Sequence, residues 1–173
     1  MSKLDLLSNS ELPGQYSPGL LADLLIKRGW ALATAESCTG GLIAAACTDL
    51  AGSSQWFERG FVAYSNAAKT DLLGVDATLI ARDGAVSESV VRAMAQGALH
   101  RSQAQMAVAV TGIAGPDGGS VAKPVGTVWL AWATPQGVTS QVQHFAGDRA
   151  GVRAATVQHA LRGLCVLLKT NLP

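Results

Sequence analysis

Residues 105–112 read QMAVAVTG. The stretch is a continuous apolar run of strand length that ends in a hydroxyl and a glycine. Such a run, without polar alternation, fits a strand covered on both faces. Working outward, TVWLAWAT (127–134) is a second two-sided apolar strand. The turn PQG follows, so the more polar VTSQVQHF (138–145) is expected to return antiparallel. Upstream, WALATAE (30–36) and RGFVAYS (59–65) are the remaining strand candidates.

Helical patterns separate these runs. GLLADLLIKRG (19–29) ends in Lys27, Arg28 and Gly29, with cations where the helix dipole favours them. TGGLIAAACTDL (39–50) places Leu42, Ile43, Ala46 and Leu50 on one face. Asn66 is expected to cap a short helix over AAKTDLLG, and DATLIARDG to form another. Ser87 is expected to cap a longer helix with Val90, Val91, Met94, Ala98 and Leu99 buried. The last helix carries the stripe Val157, Ala160, Leu161, Leu164 and Leu168. Together these predict an α/β chain, a three-layer α/β/α sandwich with a mixed sheet. Residues 1–17 read as a polar lead-in and 18–173 as a single domain.

Composition narrows the function classes. The chain has 173 residues, 49% hydrophobic and only 14% charged, with a mean hydropathy of +0.25. A large core, or an oligomer that covers part of its surface, would use this composition. Trp30, Trp56, Trp129 and Trp132 add to the expectation of a homo-oligomer, with Trp56 a candidate for an interface, an active-site lid or a loop anchor. The net charge of +1 without a basic run argues against a nucleic-acid partner. Cys38, Cys47 and Cys165 are odd in number and lack metal-ligand spacing, so neither disulfides nor a metal site are expected, and a reducing cytoplasm fits. No signal peptide or membrane span is read from the sequence.

Four polar or glycine-rich segments lie at strand ends or helix starts: ESCTGG (36–41), YSNAAK (64–69), TGIAGPDGG (111–119) and AGDR (146–149). In open α/β sheets ligands collect beyond the carboxyl ends of strands. Ser37 is a candidate nucleophile or a helix cap, and a serine nucleophile needs a neighbouring base. Thr39, Gly40 and Gly41 offer amides at a helix start, favourable to an anion such as a phosphate, or simply make a tight turn. Cys38 reads as a small semi-buried residue. Without a suitably placed histidine, Lys69 or Tyr64 could activate Ser37, although position alone makes Lys69 a solvated helix residue and Tyr64 a core-edge packer. Thr111, Gly112 and Gly115 border the same crevice, as polar contacts or as the end of a strand. Arg149 could fork onto a phosphate or carboxylate, or pair with Asp148.

The motifs AESCTGGLIAA, FVAYSNAAKTDLLGV, GAVSE, AVAVTGIAGPDGG, KPVGTVWLA and FAGDR, in this order and spacing, resemble the CinA C-terminal domain family. The likeness is to its stand-alone nicotinamide-nucleotide amidohydrolase form and covers roughly residues 18–168. The resemblance implies hydrolysis of nicotinamide mononucleotide to nicotinic acid mononucleotide and ammonia in pyridine-nucleotide recycling, without a cofactor. It further implies Ser37 as nucleophile, Lys69 and Tyr64 as its activating partners, Thr111 near the reacting amide and Arg149 on the substrate. Rival readings are a non-catalytic nucleotide-binding module, a DNA-related role, and an amidohydrolase acting on a related amide.

Overall fold

The computed structural model describes residues 16–170. Apart from its last two residues, the expected polar lead-in lies outside them. The strands are β1 (Leu32–Glu36), β2 (Phe57–Val62), β3 (Met106–Gly112), β4 (Thr127–Thr134) and β5 (Gly137–His144). They form one mixed sheet in the order β2-β1-β3-β4-β5. β1 runs parallel to both β2 and β3, whereas β3–β4 and β4–β5 are antiparallel. The helices are α1 (Pro18–Arg28), α2 (Leu42–Thr48), α3 (Asn66–Leu73), α4 (Ala77–Asp83), α5 (Glu88–His100) and α6 (Arg149–Thr170).

Strand alternation sorts the core into two unequal halves. Leu32, Met106, Val108, Val110, Val128, Leu130 and Trp132 face one side, where α1, α2 and α6 cover them. Ala33, Ala35, Ala107, Ala109, Ala131 and Ala133 face the other, under α5 and its neighbours α3 and α4. The bulky face carries most of the sheet's hydrophobic stabilisation, at about 1.5–3 kcal/mol for each fully buried large aliphatic side chain. The alanine face lets α5 lie across β1, β3, β4 and β5. The Trp132 indole donates to the Ala160 carbonyl at 3.1 Å, anchoring β4 to α6.

The element boundaries follow local chemistry. Ser65, not Asn66, caps α3: its backbone is extended and its hydroxyl accepts from Ala68 N at 3.0 Å. β2 lies two to three residues earlier than expected, because the chain turns away after Ala63, whose N still donates to Glu36 O at 2.9 Å, to reach that cap. Ser87 caps α5 as expected. On α2 the buried positions are Ile43 and Cys47, while Leu42 and Leu50 are exposed, because so short a helix presents only a narrow face. Trp56 is 1% exposed and packs edge-on against Phe57, so it is a loop anchor in its own core and not a lid or an interface residue. Among the described residues, no helix is long and apolar enough to cross a membrane.

Candidate active site

Where β1 ends, the alternation places successive residues on opposite faces of the sheet. Ser37 N donates to Val110 O at 3.1 Å, extending the ladder one residue beyond Glu36. Ser37 therefore continues the Ala33–Ala35 face, toward α3. Lys69, in the first turn of α3, comes up beneath it. Its ammonium nitrogen lies 3.1 Å from Ser37 Oγ, 3.2 Å from Ala63 O and 3.1 Å from Tyr64 O. Lys69 is only 1% exposed and Ser37 8%. Among the described residues no carboxylate forms an ion pair with Lys69. Burial accordingly pulls its pKa below the ordinary value of 10.5, while the nearby Cys38 acts in the opposite sense. A neutral lysine amine has two hydrogens and one lone pair. The two carbonyls can take the hydrogens, which leaves the lone pair for the Ser37 hydroxyl proton. A neutral amine so placed could accept the proton of a serine hydroxyl.

Glu36 points to the other face and is 1% exposed. One carboxylate oxygen accepts from Thr39 Oγ1 at 2.7 Å, Gly41 N at 3.1 Å and Ile43 N at 2.9 Å. The other accepts from Ala44 N at 2.8 Å. The anion-friendly start of α2 is thus already filled by a carboxylate from the chain itself. Gly40 and Gly41, expected to receive a phosphate, instead make the turn from β1 to α2, with φ of 60° and 99° that other residues rarely adopt. The Thr39 hydroxyl is likewise spent on Glu36.

A cleft of about 520 Å³ is lined by residues that include Gly115, Val125, Gly147, Arg149 and Arg153. Arg149 donates to Gly115 O at 3.0 Å and to the Tyr64 hydroxyl at 3.0 Å. Tyr64 is 58% exposed, and its hydroxyl bonds to Arg149, with no hydrogen bond to Ser37 or Lys69; only its main-chain carbonyl meets Lys69. Asp148 does not pair with Arg149. Its carboxylate accepts from Gly151 N at 2.8 Å and caps α6.

Thr111 lies on the same sheet face as Ser37, beside it by continuation of the Glu36–Val110 register. Its hydroxyl donates to Ala85 O at 2.9 Å. Gly112 is a packing requirement, since a Cβ there would stand 2.7 Å from the Val128 side chain. Burial pushes the Cys38 thiol up to about 11, which leaves it a neutral thiol near pH 7. Among the described residues, no group of three His, Cys, Asp or Glu side chains could hold a metal ion.

The model of the CinA C-terminal domain family matches residues 17–168. The chain belongs to the CinA C-terminal domain family. The nicotinamide-nucleotide amidohydrolase PncC of Escherichia coli K12 is 51% identical over 166 residues, 95% of each chain. PncC of Pseudomonas putida is 60% identical over 134 residues, 78% of this chain and 84% of the relative. The crystal structure of competence/damage inducible protein CihA from Agrobacterium tumefaciens matches with a TM-score of 0.84 at 47% identity, over 92% of this chain and 99% of its own.

Two residues of this CinA-family site, Arg153 and Glu36, are absent from the candidates drawn from the sequence. Arg153 donates from Nε to Cys38 O at 3.2 Å and from Nη2 to Thr39 O at 2.9 Å, across more than a hundred residues of sequence. Nothing local marks it, beyond its lying one helical turn after Arg149. Glu36 does carry a local signal: an acidic residue that ends an apolar strand just before a helix start is placed to cap that helix.

Proposed function

We propose that this chain hydrolyses the carboxamide of nicotinamide mononucleotide to nicotinic acid mononucleotide and ammonia, with Ser37 as nucleophile and Lys69 as its base. The observation that carries the mechanism is the buried Lys69 amine 3.1 Å from Ser37 Oγ, its other contacts being two carbonyls. The substrate class is supported by the PncC relatives, which are named for that activity.

In this reading Lys69 takes the Ser37 proton as Oγ bonds to the carboxamide carbon. The tetrahedral intermediate collapses with cleavage of the C–N bond, and the protonated Lys69 returns the proton to the departing amine, which leaves as ammonia. Water then attacks the Ser37 ester, giving up a proton to Lys69, which returns it to Ser37 Oγ as the acyl C–O bond breaks and the carboxylic acid leaves. The cationic pyridinium ring withdraws electrons from the carbonyl and eases both attacks. Thr111 borders the reacting group. The 5′-phosphate occupies the cleft beside Arg149, whose guanidinium suits a phosphate fork and is steadied by Tyr64 and Gly115. The amides of Gly41, Ile43 and Ala44 at the start of α2 already donate to Glu36, which favours the cleft over that start for the phosphate.

The test is ammonia release from nicotinamide mononucleotide by EDTA-treated wild type beside Ser37→Ala. Lys69 serves as the base, so EDTA is expected to leave turnover unchanged, and the variant is expected to be inactive but folded. Release that survives in Ser37→Ala would remove the serine from its role. A folded wild type that binds the nucleotide without releasing ammonia would sink the enzymatic reading in favour of a binding module.

A further inference from the structure

We propose that Arg153 is a positioning residue that aims the backbone amides of the nucleophile turn at the reacting carbonyl. The inference rests on Ser37 being the nucleophile. It begins with an account of the turn's polar groups. Ser37 O accepts from Gly40 N at 3.1 Å, and the carbonyls of Cys38 and Thr39 are both held by the Arg153 fork. The amides of Gly41, Ile43 and Ala44 are held by Glu36. Among the described residues the amides of Cys38 and Thr39 donate to no oxygen; both act on the Cys38 thiol, a weak acceptor that a substrate oxyanion would replace. These are two successive donors without an oxygen partner, immediately after the nucleophile, in a site that must stabilise an oxyanion.

Their direction follows from peptide geometry. The peptides of this turn are trans, so each carbonyl points opposite to the N–H that follows it. Arg153 belongs to α6, on the bulky face of the sheet, whereas Ser37 Oγ reaches toward α3 on the alanine face. With Cys38 O drawn toward α6, the Thr39 N–H is turned away from α6, toward the side on which Ser37 and Lys69 meet. Nε and Nη2 of one guanidinium hold two successive carbonyls at once and thereby fix both peptide planes. A lysine ammonium would not reproduce this planar fork.

Arg153 also lines the cleft with Arg149, so an alternative role as a mere phosphate ligand has to be separated. The two roles differ in what they predict for a substrate without phosphate. We would measure kcat and KM of wild type, Arg153→Gln and Arg153→Lys with nicotinamide mononucleotide and with nicotinamide riboside. In parallel we would follow, by intact mass, the labelling of Ser37 by a fluorophosphonate. In that reaction the Ser37 Oγ–P bond forms and fluoride leaves, and the rate reads the nucleophile and the oxyanion donors without the nucleotide. Outright loss of one oxyanion donor costs about 10²–10³ in rate, so misaimed donors should lower kcat about 10- to 100-fold for each substrate the wild type turns over. Ser37 labelling should slow in parallel, with Arg153→Lys intermediate and the melting transition still cooperative. A rise in KM for the phosphorylated substrate alone, with kcat and labelling at wild-type values, would overturn the inference and leave Arg153 a phosphate ligand. Wild type that hydrolyses the nucleotide without labelling, together with an active Ser37→Ala, would instead refute the serine nucleophile itself and this inference with it.

Discussion

Replacing Lys69 by methionine is the most demanding perturbation of the proposed mechanism. Methionine keeps the length and volume of the stem but removes the nitrogen that bridges Ser37 Oγ, Ala63 O and Tyr64 O. Loss of a positioned base typically costs about 10²–10⁴ in rate, or about 3–5 kcal/mol of barrier at roughly 1.4 kcal/mol per decade. The stability effect is smaller and has opposing parts. Two carbonyls lose a donor, at about 1–3 kcal/mol for each that stays buried and unpaired, while removal of an amine that burial disfavours in its charged form returns part of that cost. The protein should therefore fold with a lowered melting temperature. Neither carbonyl contact lies in the cleft, so KM for nicotinamide mononucleotide should stay near the wild-type value. Steady-state ammonia release, with a melt by circular dichroism on the same sample, reads both quantities. A folded Lys69→Met with kcat within threefold of wild type, or with its loss confined to KM, would refute Lys69 as the base.

The pH dependence has a definite sign, because Lys69 must be neutral to accept the Ser37 proton and its pKa is held below 10.5. Wild-type kcat/KM should rise with pH through an apparent pKa below that value, and a profile flat or falling across the alkaline range would contradict it. Stability should move the same way: between the folded and unfolded pKa values of Lys69 the unfolded chain binds the extra proton, so the Lys69 contribution to folding grows as pH rises, measurable as a denaturant midpoint in Lys69→Met against wild type. Cys38→Ala should retain kcat within about threefold, since a thiol pushed up to about 11 supplies little thiolate at neutral pH; abolished turnover in a folded variant would return the cysteine to the mechanism. Gly163→Ala should destabilise the fold by about 1–3 kcal/mol through overpacking, because its Cβ would stand 2.3 Å from the Trp132 ring; an unchanged melting temperature would contradict that packing.

The fold was largely legible because its signals are local. Continuous apolar runs at 106–112 and 127–134 announced strands covered on both faces, and the more polar run after PQG announced an antiparallel return. Strand order was not legible, since β1 sits between β2 and β3 through pairings made far apart along the chain. The errors at the edges are also local: one residue decides whether Ser65 or Asn66 caps α3, and both residue types cap well. The site was legible in its residues more than in its contacts. ESCTGG did mark an anion-friendly helix start, but the anion is Glu36 from the same motif. Lys69 reads as a solvated helix position until tertiary packing closes over it; the residues alone offered it as one possible base, and the family resemblance favoured that role. Tyr64 was expected beside Ser37, whereas its hydroxyl meets Arg149, a partner 85 residues away that no local pattern could supply.

The alternation that divides the core also divides the work of the site. Glu36 and Ser37 are adjacent, so strand geometry must send them to opposite faces of the sheet. On the bulky face Glu36 is fixed by four hydrogen bonds to Thr39 and the start of α2, while Arg153 grips the neighbouring carbonyls from α6. On the alanine face Ser37 is left with one side-chain partner, the amine of Lys69. Structural bonds and chemical bonds are thereby kept on separate sides of one peptide. In the proposed mechanism, the turn that carries Ser37 can be held rigid without using the lone pair that the reaction needs. A one-residue slip of β1 would bury the serine under α2 and present a carboxylate to Lys69, forming an ion pair in place of a base. The pairing of β1 with both β2 and β3, five residues with each neighbour, resists that slip. The central place of β1 in the sheet is therefore a condition of the proposed chemistry as well as of the fold.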